Sequence, residues 1–81
     1  MTLLDRRERT HGDFATKSNF IQCLKANMRD CEGWDRLTDA QAEALDMIAT
    51  KIGRILHGDG AHLDHWLDVA GYAELAAKAP A

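Results

Sequence analysis

Residues 38–78 read TDAQAEALDMIATKIGRILHGDGAHLDHWLDVAGYAELAAK. Thr38-Asp39-Ala40-Gln41 has the form of a capping box, in which the threonine hydroxyl and the glutamine amide each serve a backbone N–H that a helix start leaves without a partner. The box predicts a helix over 38–57, stopped by Gly58. At about 100° per residue, Leu45, Ile48, Ala49, Ile52, Ile55 and Leu56 gather on one face, and Glu43, Asp46, Thr50, Arg54 and His57 on the other. Gly58-Asp59-Gly60 is a tight connection, with Asp59 or a residue just after it expected to cap the next helix. That helix spans 61–78. Its apolar face holds Trp66, Val69, Ala70, Ala73, Ala76 and Ala77, while Asp64, Asp68 and Tyr72 form a polar stripe beside His65. Two helices joined by so short a turn are antiparallel neighbours, so the fold class expected is all-α.

Working back toward the start, residues 14–31 place Phe20, Ile21, Leu24, Met28 and Cys31 on one helical face, with Lys25 and Arg29 on a solvated side. Gly33 is the expected stop, and Trp34 is expected to pack across the helix ends. Residues 1–13 form an arm or short helix, with Thr2 as its cap and Gly12 as its stop. The chain then makes one helical domain, 1–81, a small bundle of three to four helices with a C-terminal antiparallel hairpin.

With 81 residues, the chain buries a smaller share of its surface than a typical domain. Completion of the core by homo-oligomerisation is expected. The net charge of -3 argues against nucleic acid as a partner, because phosphate-backbone binding requires a basic surface. No apolar run approaches the roughly 20 residues of a membrane span, and charges follow Leu4 at once, so neither a membrane partner nor a signal peptide is expected. A cytoplasmic location, in a bacterial host if the chain is phage-encoded, is the expectation. Cys23 and Cys31 on one helix lie about 12 Å apart along its axis, too far for a disulfide. They read as reduced core or boundary cysteines.

The polar stripes offer two chemistries. Glu43 with Asp46, and Asp64 with Asp68, are acid pairs at helical spacing; facing each other, they would form an oxygen cage suited to magnesium, which keeps positions free for water and phosphates. The same acids equally suit solvated faces or intrahelix pairing. Lys51 and Arg54 either offset the helix dipole or grip phosphate oxygens, a task for which the planar guanidinium is well shaped. His57, His62 and His65 cluster near the turn without a compact zinc spacing.

Thr10-His11-Gly12-Asp13-Phe14, Ala44-Leu45-Asp46-Met47-Ile48-Ala49 leading into Lys51 and Arg54, and Asp64-His65-Trp66-Leu67-Asp68-Val69-Ala70-Gly71-Tyr72-Ala73 together resemble a family of small phage and prophage proteins, over residues 5–77. The acid-bearing hairpin is more remotely similar to the all-helical nucleoside triphosphate pyrophosphatases of the MazG and dimeric dUTPase group. That likeness implies an oligomeric bundle using magnesium on an E-x-x-E helix and an E-x-x-D helix. Here Glu43-x-x-Asp46 ends in aspartate, and His65 stands where the second pair's first acid belongs. The resemblance thus implies nucleotide binding more than turnover, with Lys51, Arg54, His65, Tyr72 and His11 as ligand contacts and no catalytic residue assigned. A phage sponge for a host immune nucleotide signal is the function it implies. A magnesium-dependent pyrophosphohydrolase with Glu43, Asp46, Asp64 and Asp68 as ligands is the rival, and a helical interaction module without a small-molecule site is the third.

Overall fold

The computed structural model describes residues 2–11 and 13–80, with the backbone alone for Arg7, Glu8, Thr10 and His11. The side chain of His11 and the expected stop Gly12 therefore lie outside the described residues. Helices α1 (Leu3–His11) and α2 (Phe14–Asp30) come first; a 3-10 segment, Glu32–Arg36, leads into α3 (Asp39–His57) and α4 (Leu63–Lys78). Among the described residues there is no strand, and no helix is long and apolar enough to cross a membrane. The chain is an all-α small bundle ending in a helical hairpin.

Short polar side chains set most of the helix starts. The Asp5 N–H donates to Thr2 Oγ1 at 3.2 Å and the Thr2 N–H to Asp5 Oδ2 at 3.1 Å. Asp13 caps α2 by accepting the Thr16 N–H at 3.0 Å, a bond that holds its carboxyl below the usual carboxylate range. Both halves of the capping box are made at α3, where the Gln41 N–H donates to Thr38 Oγ1 at 3.2 Å and the Thr38 N–H to Gln41 Oε1 at 2.9 Å. The start of α4 differs from expectation. It begins at Leu63, and His62 at its cap position makes no side-chain capping bond. Asp59 instead closes the turn by accepting the Ala61 N–H at 2.9 Å, as short turns favour. The end of α2 also differs: the helix stops at Asp30, and Gly33 lies inside the 3-10 segment.

Helix α3 is the hub and touches α1, α2 and α4. Two of its buried residues, Lys51 and Gly53, point about 200° apart, Gly53 against Ile21 of α2 and Lys51 against Asp68 of α4. The second and fourth helices thus flank it on opposite sides, and the molecule is thin, 45 × 25 × 18 Å. A helix clasped from two sides cannot bury its whole apolar stripe. Leu45 and Leu56 stay exposed although they share the face of fully buried Ala49. Trp66, expected to pack, is 53% exposed, and the buried residue of α4 is His65. The two cysteines are free and exposed, outside the core they were expected to border.

Candidate functional site

Arg54 of α3 stands between two long cations on its flanks, Lys17 on the α2 side and Lys51 on the α4 side. Lys17 enters from α2 because it continues the stripe of Ile21, Leu24 and Met28 at helical spacing, and its stem lies over Gly53, whose missing side chain leaves the room. A Cβ at Gly53 would stand 3.5 Å from the Cγ of Lys17. The ammonium then reaches outward to 5.7 Å from the centroid of the Phe14 ring, as a buried lysine stem with a polar tip does. Burial first, and then the nearby Arg54 guanidinium, push the Lys17 pKa below the ordinary lysine value, while Asp13 pulls it back up.

On the other flank the Lys51 ammonium lies 2.8 Å from Asp68 Oδ2. That hydrogen bond, opposed by partial desolvation and aided by the charges of Lys51, His65 and Arg54, keeps the Asp68 carboxyl below the usual range. Arg54 therefore stands close enough to act on both Lys17 and Asp68. Its Nε is buried and has no hydrogen-bond partner among the described residues. Lys51 and Arg54 thus share Asp68, while the carboxylate near Lys17 is Asp13 at the rim, committed to capping α2. The excess is positive in a chain whose net charge is -3.

No protein-family model, curated protein or solved structure matches the chain. The chemistry of the junction has to be read from its own groups.

His65 is 2% exposed and sets its ring edge-on against His62, with centroids 4.8 Å apart. It lies behind the surface, beneath Asp68. Tyr72, one turn beyond Asp68, is half-buried. The four acids of the magnesium reading have separate surroundings: Asp46 Oδ2 pairs with Arg29 of α2 at 2.8 Å, Asp68 with Lys51, Asp64 lies 3.8 Å from His62 Nε2, and Glu43 is exposed. No group of three or more His, Cys, Asp or Glu side chains among the described residues gathers as a metal-holding set. His57 turns to its own helix, with Nδ1 3.1 Å from the Gly53 carbonyl and its ring against Phe20.

Arg29 is exposed, as its solvated face predicts, and is also engaged by two neighbours. Besides pairing with Asp46, its guanidinium covers Trp34 with Cζ 4.8 Å from the ring centroid. An open groove of about 440 Å³ beside it, lined by Gln22, Lys25, Ala26 and Arg29, lies on a different face of α2 from Lys17. Lys17 and Phe14 are members of the candidate site that the sequence alone did not single out. Lys17 carried a legible signal, a charge on an otherwise apolar stripe.

Proposed function

We propose that the junction of Lys17, Lys51 and Arg54 binds the phosphates of a nucleotide or nucleotide-derived signalling molecule and holds it without turnover. The buried, unpartnered Nε of Arg54 carries this reading. Leaving such a donor unsatisfied costs about 1–3 kcal/mol, and a phosphate oxygen that the Arg54 side chain swings outward to meet would remove that cost through a charge-assisted bond. Phe14, 74% exposed beside the Lys17 ammonium, offers a ring on which a base can stack. Tyr72 stands one turn from Asp68 as a second aromatic.

Retention without cleavage fits the acids, since Asp46 and Asp68 are each engaged by a cation from a different helix. A magnesium-dependent pyrophosphohydrolase would require both to leave those partners. A phage-encoded chain that binds and keeps a signalling nucleotide would withdraw it from host defence.

Calorimetry of the protein with pyrophosphate, nucleoside triphosphates and cyclic dinucleotides, followed by recovery of the ligand after denaturation, tests the reading. Binding with intact ligand recovered is expected. Arg54→Gln weakens it about 10- to 100-fold, the worth of one charged hydrogen bond. Asp68→Asn tightens it by removing the carboxylate that competes for Lys51, whereas for the pyrophosphohydrolase the same change abolishes turnover. Phe14→Ala weakens nucleotides and spares pyrophosphate. Absence of binding across the panel, or a cleaved product, overturns the reading.

Affinity also depends on pH. The Lys17 pKa lies below its ordinary 10.5, so affinity is complete below the folded-state value and falls as pH rises through it, ahead of the free-lysine range. The ligand-free fold has the opposite sign: a lysine with a depressed pKa destabilises while charged, and stability recovers between the folded value and 10.5. Affinity that stays level up to the free-lysine range would remove Lys17 from the site.

A further inference from the structure

We infer that the outer face of α4, with Leu56 across the turn, is the interface on which a second copy of this chain docks to form a two-fold dimer. The inference is independent of the phosphate site. It starts from an imbalance in the folded chain. Only Ile21, Ala44 and Ala49 are buried apolar residues among those described, while Leu56, Leu63, Trp66 and Leu67 are each more than half exposed.

The area says how much surface is waiting. The chain exposes 5699 Å², where a compact monomer of 9.0 kDa exposes about 4,900 Å². The surplus, roughly 800 Å², equals one partner's share of a standard protein–protein interface. Its shape agrees, since the radius of gyration is 13.9 Å against about 12 Å for a compact chain of this length.

The pattern along α4 says what covers it. His65, Val69, Tyr72 and Ala76 turn toward the body, which leaves Leu63, Trp66, Leu67, Ala70, Ala73 and Ala77 on one outer arc, with Glu74 the charged residue inside it. The large members lie in the first half of the helix and the small ones in the second. Two copies packed antiparallel about Ala70 set Leu67 against Ala73 of the second copy and Leu63 against its Ala77, large into small at both ends, with Trp66 beside its Glu74. A two-fold contact requires this self-complementarity. Trp66 is already anchored, because its Nε1–H donates to the Gly60 carbonyl at 2.7 Å. Its indole can be covered without stranding a polar group.

Sedimentation equilibrium of the protein over a wide concentration range tests the dimer. A species of twice the 9.0 kDa chain mass is expected, with a thermal midpoint that climbs with concentration because association stabilises the folded form. Leu67→Glu and Leu63→Glu are expected to abolish it. Should either glutamate variant unfold, Leu67→Ala supplies the reading through a dissociation constant raised about tenfold or more. A chain that stays at the single mass, a midpoint indifferent to concentration, or a dimer that tolerates all three substitutions overturns the inference. Vesicle or foreign-protein binding by a strictly monomeric chain does so too.

Discussion

Gly53→Ala lowers the thermal midpoint by roughly 5–15 °C at fixed protein concentration, at about 4–8 °C per kcal/mol for a domain of this size. Two effects oppose each other. Alanine relieves the cost of a mid-helix glycine, about 0.5–1 kcal/mol. Its methyl, however, would stand 2.4 Å from Ile21 Cγ1 and 2.6 Å from Cδ1, and Ile21 is buried with a β-branched side chain that has few alternative rotamers. Overpacking of this kind costs about 1–3 kcal/mol and sometimes more, so destabilisation wins. A second route reaches the same contact: Ile21→Ala, costly alone, should be partly rescued by Gly53→Ala, because the added methyl refills the space. Coupling of about 1 kcal/mol between neighbours in contact is ordinary. Thermal melts of the two single variants and the double variant decide it. A Gly53→Ala midpoint equal to or above the parent's would show that helix propensity outweighs the contact, and that α2 and α3 do not meet as closely as described. The same variant reports on the candidate site, since the Lys17 stem crosses that glycine.

Local chemistry made much of the fold legible. The Thr38 box, the Gly58 stop and the helical spacing of the apolar residues place α2, α3 and the hairpin within a few residues, because each signal acts over one turn. What the sequence did not reveal is rotation. A wheel assigns a helix one buried face, whereas α3 is packed from two sides, and the apolar arc between them, with Leu45 and Leu56, is left outside. In α4 hydrophobicity favours burying Trp66. Asp68 has to meet Lys51, and satisfying that pair turns the helix so that His65, one turn earlier, faces inward and Trp66 faces out. Lys51 and Arg54 were legible as phosphate candidates because they are long cations near a helix end. Lys17 was legible as a charge on an apolar stripe but not as a phosphate candidate, because Arg54 lies on another helix and only the fold brings the two together.

His65→Ala is the substitution expected to cost most. His65 is the largest fully buried side chain among the described residues, 2% exposed, and truncating a buried side chain of leucine-like size typically costs about 2–5 kcal/mol through lost contacts and the cavity left behind. The midpoint should fall by roughly 10–25 °C on the scale of about 4–8 °C per kcal/mol. The ring fills the space between α4 and the hub, and it meets His62 edge-on. It is also among the groups that hold the Asp68 carboxyl low. His65→Leu separates these contributions by restoring volume without the imidazole. If volume dominates, leucine recovers most of the lost midpoint; if the polar contacts of the ring dominate, it recovers little. In both variants the Asp68 carboxyl, followed by NMR titration, should move up toward its ordinary 3.8. Because stability from a carboxylate of depressed pKa is present above its unfolded value and lost as pH falls through the folded one, that rise shrinks the range of acid over which the pair with Lys51 survives. An unchanged midpoint in His65→Ala would mean that α4 is not turned inward at His65. The rotation linking the Asp68 pair, the buried imidazole and the exposed Trp66 would then have to be abandoned together.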